Sequence, residues 1–334
     1  MALISIGDLA QSFILRKHNA DLKSGISQLT QEMTTGLKQD PARHLSGDVG
    51  ALTGIDSALA RLGAYTRAAS DHALFTGAMQ TALGAVQDLT SDLVPSLLSV
   101  TSTGNTGSMA VVSREAGQAF KTAVSLYNTR LGDRALFAGD QTATTPLLPA
   151  DQILQQMQTA VAGALTVQDA EAALDTWLNS PTGFVATAYQ GGAALADLPI
   201  GPGQSVSVDI TAADPAIRET LKGLGMAALL QQGLFTGDPP LQAALIQRAG
   251  EVLAAGQNSR ALMAGRLGTA EGQIDDAQTR NTAEVSALHI ARLSLVSADP
   301  FDAAAKLQEA QGQLETLYTL TARLSRLSLV DFLR

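Results

Sequence analysis

The amino-terminal part of the chain carries apolar residues at heptad spacing. Leucine recurs every seven positions from Leu15, and a second apolar row runs beside it. The positions of the two rows are Leu15, Leu22, Ile26, Leu29 and Met33. Apolar side chains that alternate three and four residues apart form one stripe along a helix, by which helices pair. The pattern predicts a single helix over residues 5–37, ended by Gly36 and the Pro- and Gly-containing stretch 39–50.

The carboxyl-terminal part repeats this pattern and ends on an apolar sequence. Apolar residues recur at intervals of seven from Ala303, with a neighbouring row beside them. The positions predicted to form this seam are Leu307, Leu314, Leu317, Leu324, Leu327 and Phe332. Asp299 followed by Pro300 predicts the start of the last helix. Neither terminal helix has an obvious partner next to it in sequence, so we expect the two to pair with each other or with copies of themselves.

Helical patterns also fill most of the chain between the two ends. The predicted segments are residues 51–100, 109–137, 151–179 and 215–297, with a Thr, Gly and Ser loop at 101–108 and a break at 236–240. Asp214 before Pro215 is the predicted N-cap of the segment that begins there.

The segment 183–210 differs from its surroundings. Apolar residues alternate with other residues at Val206, Val208 and Ile210, and Gly and Pro interrupt the chain at 201–203. Alternation of period two bounded by breakers predicts a short hairpin or a small sheet.

The composition supports a mainly α fold class. Apolar residues make up 46% of the 334 residues, whereas aromatic residues make up 4% and include one Trp. A core of aliphatic and small side chains suits helix bundles better than sheet sandwiches.

The charge distribution argues against a nucleic-acid partner. The formal net charge is -9, and no cluster of Lys and Arg supplies the basic face that phosphate binding requires. Residues 1–40 hold four basic and four acidic residues, and so do residues 300–334. The acidic excess therefore lies between the ends, which predicts that the ends are buried in contacts and that the middle faces solvent.

Targeting and membrane signals are missing from the sequence pattern. The charged residues Asp8, Arg16 and Lys17 interrupt the amino-terminal sequence, so it contains no apolar run long enough for a secretory signal. The long uncharged stretch 93–113 is rich in Ser, Thr and Gly and is not typical of a membrane span. There is no Cys, so disulfides and thiolate chemistry are excluded. We therefore expect a soluble protein without a cleavable signal peptide and without membrane insertion.

No constellation of residues predicts catalysis or cofactor binding. The four histidines stand far apart and lack metal-ligand spacing; they are His18, His44, His72 and His289. The sequence GLGMAA at 223–228 has the form of a dinucleotide-binding fingerprint, but it follows a stretch that is already helical. Its small residues predict close helix packing instead. We expect no enzyme activity, no cofactor and no metal.

Both ends of the chain resemble flagellin-like axial proteins of the bacterial flagellum. The amino-terminal resemblance is a heptad helix that closes in the turn MTTGLKQDP, and the carboxyl-terminal one covers residues 267–333. Within the family, the segment LFAGDQTATTPL at 136–147 and the ending LSLVDFL are more similar to hook-filament junction members than to flagellin. The chain departs from the family where the double-Asp stretch after the turn is reduced to Asp40 and the later Asp48.

The resemblance implies a long antiparallel helical bundle or coiled coil formed by the N- and C-terminal regions, with a small central domain that contains the β-hairpin. It divides the chain into an inner coiled-coil region of 1–40 with 295–334, a helical bundle of 41–140 with 215–294, and an outward-projecting insertion of 141–214.

The resemblance also implies how the protein is used. The two seams would contact copies of the chain and adjacent hook-associated proteins or flagellin. The protein would lie outside the cell in the flagellum, at the hook-filament junction. It would reach that place unfolded through the flagellar type III pathway, with the help of an export chaperone.

Three other interpretations stay open. Flagellin, the filament subunit, belongs to the same structural class and would differ in copy number. A secreted enzyme or binding module could use the acidic middle of the chain, with 183–210 as its site. The terminal leucines could also belong to an ordinary intramolecular core.

Overall fold

The computed structural model describes residues 6–100 and 106–332, with the side chains of 10–100 and 106–323. Helices make up most of this described part. They are α1 (Ile6–Thr35), α2 (Pro41–His44), α3 (Gly50–Val100), α4 (Thr106–Tyr127), α5 (Ala150–Ala160), α6 (Val167–Asn179), α7 (Phe184–Thr187), α8 (Pro215–Ala228), α9 (Pro239–Ala255), α10 (Gln257–Val296) and α11 (Pro300–Phe332). Two antiparallel hairpins accompany them, β1 (Arg130–Leu131) with β2 (Arg134–Ala135) and β3 (Leu198–Gly201) with β4 (Gln204–Val206).

The chain divides into two compact units. The first unit joins both ends of the chain, Met1–Gly63 with Ala283–Arg334, and the second unit is Ala64–Thr282. Both α3 and α10 contribute residues to each unit. The three-part division implied by the resemblance stays a prediction.

The predicted terminal helices are confirmed. The first was expected over 5–37 and is observed as Ile6–Thr35, followed by Gly36 at a φ of 68°, where a side chain would be strained. The last begins at Pro300 as predicted. The Asp299 carboxylate caps it by accepting hydrogen bonds from the backbone N–H groups of Phe301, at 2.8 Å, and Asp302, at 3.3 Å.

The helix predicted over 109–137 is wrong at its carboxyl end. It ends at Tyr127, and the following residues form the hairpin β1–β2 around Gly132, whose φ is 57°. The side chain of Asn128 explains the stop, because its amide nitrogen donates to the Leu147 carbonyl and its oxygen accepts from the Leu147 N–H. These two bonds tie the chain to a segment 19 residues away instead of continuing the helix.

The segment 151–179 was predicted as one helical stretch and contains two helices. The chain leaves the first at Val161 and begins the second after Thr166. The Thr166 hydroxyl accepts from the Asp169 N–H while the Asp169 carboxylate accepts from the Thr166 N–H, which is a capping box. The capping box therefore begins α6 as a helix separate from α5.

The second unit is organised around α8, which is buried along nearly its whole length. It packs against α4 and α9, and the Ser113 hydroxyl of α4 donates to the Ala227 carbonyl of α8 at 2.7 Å. The predicted close packing at GLGMAA is confirmed, because a Cβ placed on Gly223 would lie 2.7 Å from the Leu253 side chain. The predicted N-cap of α8 is also confirmed, since the Asp214 carboxylate accepts from the Ala216 N–H.

The hairpin predicted within 183–210 is confirmed as β3–β4. Its turn contains Gly203 at a φ of 67°, and the alternating residues Val206, Val208 and Ile210 are all buried. The hairpin is held to α10, where the Asn281 side chain donates to the Ile200 carbonyl at 2.8 Å.

Candidate assembly interface

The terminal helices α1 and α11 pack against each other within the first unit. Their connecting turns are joined by an antiparallel bridge between Leu37 and Ser297. Two backbone hydrogen bonds flank this bridge, from the Lys38 N–H to the Val296 carbonyl at 2.9 Å and from the Ala298 N–H to the Gly36 carbonyl at 2.8 Å. The end of α1 therefore lies beside the start of α11.

Electrostatic neighbours along the two helices show that they run antiparallel. The pKa of the Lys306 ammonium is raised mainly by Asp302 and also by Glu32, near the end of α1. Further along α11, the side chains of Asn19 and Lys23 lower the pKa of the Tyr318 phenol. Residues later in α11 thus lie beside residues earlier in α1, as in an antiparallel coiled coil.

Most of the predicted seam residues whose side chains are described are half-buried, and their part in contacts between subunits stays a prediction. Six leucines and one isoleucine are half-buried, namely Leu15, Leu22, Ile26, Leu29, Leu307, Leu314 and Leu317. Their spacing of three and four residues is the one expected for paired helices. Half-burial means that one partner helix covers only part of each side chain.

Met33 departs from this pattern within the single chain. Its side chain is 44% exposed, whereas the neighbouring Glu32 is 6% exposed. The Glu32 carboxylate accepts hydrogen bonds from the Lys38 ammonium at 3.0 Å and from the Gln39 N–H at 3.2 Å. These hydrogen bonds with the turn residues keep the Glu32 side chain buried. The role of Met33 in contacts between subunits stays a prediction.

Three of the predicted seam residues fall outside the described side chains. They are Leu324, Leu327 and Phe332, on the last part of α11. Their part in subunit contacts stays a prediction as well.

The first unit buries few apolar side chains. Among its described residues the fully buried ones are Leu62, Val296, Ala298 and Ala303. By contrast, the continuous core of buried apolar residues belongs to the second unit. Among the side chains that the structure describes, the first unit therefore has no continuous apolar core like that of the second unit.

Large apolar side chains are exposed on the first unit. Phe301 is 88% exposed and Ile290 is 70% exposed. Others of this kind in the same unit are Phe13, Ile14, Met33, Leu293 and Leu320. Exposed apolar side chains mark a surface that contacts other proteins where they form a contiguous patch. The heptad spacing of apolar residues predicts the seam between α1 and α11. It does not predict the exposed Phe301 and Ile290, because neither residue belongs to the heptad rows.

The residues considered for other chemistry are not brought together. Within the described part of the chain no group of His, Asp or Glu has an arrangement that could hold a metal ion. His72 lies in α3, where burial and the neighbouring Arg134 lower the pKa of its imidazole. Each described helix is also too short or too polar to cross a lipid bilayer.

The carboxyl-terminal part of the chain matches a known family. Residues 253–333, which include all of α10 and α11, match the bacterial flagellin C-terminal helical region. No curated protein sequence matches the chain.

Among the solved structures that match is a "putative flagellar hook-associated protein" from Vibrio parahaemolyticus. It has 13% sequence identity and a TM-score of 0.36, over 71% of this chain and 99% of that chain. By its residues 253–333, the chain is similar to the C-terminal helical region of bacterial flagellins.

Proposed function

We propose that this protein is a structural axial component of the bacterial flagellum that joins the hook to the filament, of the type called hook-associated protein 3. One observation carries the proposal. The first unit, which contains residues 283–333 of the matched region, leaves large apolar side chains such as Phe301 and Ile290 exposed, while its α1–α11 seam is only half-buried. Neighbouring subunits are the simplest cover for such a surface.

The energetics favour assembly of the terminal unit. Covering a large apolar side chain contributes about 1.5–3 kcal/mol. The entropy lost when helices and side chains are ordered offsets much of this gain, at roughly 1–2 kcal/mol for each backbone residue. Several such side chains must therefore be covered together, as happens when copies of the chain stack around an axis.

The proposed partners follow from this role. They are copies of the chain, adjacent hook-associated proteins and flagellin, and an export chaperone that holds the terminal helices before assembly. The protein would be exported through the flagellar type III pathway and would lie outside the cell at the hook-filament junction. Its function would be structural and would need no catalytic residue or cofactor.

The position and copy number of the protein separate this role from that of flagellin. Antibody labelling of purified hook-filament structures should place the protein in a narrow band at the distal end of the hook. Labelling along the whole filament would identify it as the filament subunit instead. Labelling absent from both would reject the flagellar role.

The apolar tail gives a second test. Removal of residues 324–334 should leave export intact but stop filaments from attaching, because the deletion removes the last predicted positions of the seam, Leu324, Leu327 and Phe332. Secreted protein in the medium and filaments on the cell can be measured in the same culture. Normal swimming of the deletion strain would remove the assembly role of the tail.

A pair of point variants controls for damage to the helix itself. Leu314→Asp places a charge in the half-buried seam, whereas Gln311→Asp places the same charge on the exposed face of α11. Only the first should block attachment. Equal loss in both variants would point to a general effect of acidic residues in this helix.

A further inference from the structure

A buried ion pair lies at the base of the terminal helix pair α1–α11. The Glu32 side chain is 8% exposed and the Lys38 side chain is 16% exposed, and their charged atoms lie 3.0 Å apart. The other ion pairs that the structure describes in the first unit are open to solvent, namely Arg292–Asp56 and Lys306–Asp302, whose side chains are between 37% and 56% exposed. Glu32 and Lys38 thus place charge where burial is costly.

Stability alone does not explain this burial. The cost of taking two charges out of water offsets much of their mutual attraction, and replacing a buried ion pair by apolar side chains is often neutral or stabilising. Buried polar groups between helices are best known for selecting one pairing of the helices among several. The position of the Glu32–Lys38 pair therefore indicates a role in choosing the partner of α1.

The pair controls the turn that follows α1. The Lys38 ammonium donates to the Glu32 carboxylate, while the Lys38 N–H donates to the Val296 carbonyl at 2.9 Å. The same carboxylate accepts from the Gln39 N–H at 3.2 Å, so Glu32 holds two consecutive residues of the turn. The turn is therefore fixed in the conformation in which it binds the segment between α10 and α11.

That segment belongs to a framework of the same chain. Helix α10 ends at Val296, and one turn earlier Arg292 donates to the Asp56 carboxylate of α3 at 2.8 Å. The Ala298 N–H, just beyond the end of α10, donates to the Gly36 carbonyl. The turn after α1 is thus attached to residues that α3 and α10 of its own chain hold in place.

The apolar seam provides no comparable choice of partner. Leucine rows at heptad spacing fit any helix that carries the same rows, and a second copy of the chain offers both α1 and α11. The seam is also only half-buried within one chain. By itself, therefore, the seam accepts the helices of a second copy as well as those of its own chain.

We propose that Glu32 and Lys38 form a latch that closes α1 onto α11 of the same chain and keeps the seam of the free subunit from pairing with a second copy. The latch acts at the turn, where the two helices begin to run side by side. This role belongs to the free subunit and does not depend on the place of the protein in the flagellum.

Replacement of the whole pair separates partner choice from stability. Glu32→Leu combined with Lys38→Met puts apolar side chains in place of both charges, so the thermal midpoint of the full-length protein should be unchanged or raised. Sedimentation should nevertheless show dimers or larger species at concentrations where the wild type is a monomer. Asp302→Leu combined with Lys306→Met is the matched control, because it removes an exposed ion pair, and it should stay monomeric.

Cross-linking identifies the partner helix. Because the chain has no Cys, His18→Cys combined with Thr316→Cys places two unique thiols on the walls of the groove between α1 and α11. A short bismaleimide should link them within one chain in the otherwise wild-type protein and between two chains when Glu32→Leu and Lys38→Met are added.

Three results would overturn the latch. A monomer with linking only within the chain, in both backgrounds, would show that the seam needs no latch. A lower thermal midpoint without dimers would mean that the pair only stabilises the turn. Dimers of the wild type, or equal dimerisation of the control, would show that the pair does not select the partner.

Discussion

At the residue scale, two glycines set how closely α8 approaches its neighbours. A Cβ on Gly223 would lie 2.7 Å from both Cδ2 and Cγ of Leu253, and a Cβ on Gly225 would lie 2.2 Å from the terminal methyl of Met157. Both neighbours are fully buried, so neither side chain can swing into solvent. The glycines are therefore needed for packing, although they lie inside a helix where glycine is otherwise unfavourable.

We expect Gly223→Ala to lower the free energy of unfolding by about 1–3 kcal/mol, because overpacking a core costs more than the helix gains from alanine. Gly268→Ala is the matched control, since this exposed helical glycine has no atom near its missing Cβ. The control should raise the free energy of unfolding by up to about 1 kcal/mol. Urea denaturation of both variants measures the difference, and equal stabilisation would mean that α8 has room for a methyl group.

At the scale of elements, an ion cluster ties three helices of the second unit together. The Glu171 carboxylate of α6 accepts hydrogen bonds from Nε and Nη2 of Arg248 in α9, at 2.7 Å and 2.9 Å. Lys222 of α8 lies 3.4 Å from the same carboxylate and 2.8 Å from Asp175. The hydrogen bonds from Arg248 are the largest influence on Glu171 and, with Lys222, lower the pKa of its carboxyl below the ordinary 4.5.

The lowered pKa predicts how stability depends on pH. A carboxylate whose pKa is lower in the folded than in the unfolded chain stabilises the fold above its ordinary pKa, and this contribution is lost as the pH falls through the folded-state pKa. We expect Glu171→Gln to lower the free energy of unfolding by about 1 kcal/mol at neutral pH, since Arg248 is partly exposed to solvent.

The difference between wild type and Glu171→Gln should shrink as the pH is lowered below 4.5 and should vanish once Glu171 is protonated. Urea denaturation at a series of pH values follows it. Glu115→Gln, at an exposed position of α4, serves as the control and should show no comparable loss at neutral pH. A difference that stays constant down to strongly acidic pH would contradict an electrostatic origin.

At the scale of the whole molecule, the two units differ in how they are stabilised. The second unit has a continuous core, with residues such as Phe120, Phe137 and Leu224 fully buried. The first unit relies on a half-buried seam and on the turn contacts of Glu32. Regions with few buried apolar contacts open at lower free energy than the core.

We therefore expect limited proteolysis of the dilute monomer to cleave within residues 1–40 and 295–334 and to leave a resistant central fragment that includes residues 64–282. Mass spectrometry of the fragments identifies the cut sites. The same ends should be protected in assembled flagellar material, where neighbouring subunits would cover the seam. Ends that remain intact in a confirmed monomer would count against assembly-dependent ordering.

Local sequence determined much of this architecture. The heptad rows predict both terminal helices, and the Asp-Pro pairs at 214–215 and 299–300 mark helix starts within a residue. Alternation also predicts the hairpin β3–β4. These features depend on backbone hydrogen bonds and side chains that lie within one or two turns of each other, so they can be read without the rest of the chain.

Tertiary contacts decided the rest. The sequence by itself determined that α1 and α11 each have an apolar stripe in need of a partner, but only the structure showed that they pair with each other, through the bridge of Leu37 with Ser297. In the same way, α4 stops at Tyr127 because Asn128 binds the distant backbone of Leu147. Periodicity reports the face that a helix buries; it cannot report which distant segment covers that face, because that choice is made by contacts between residues far apart in sequence.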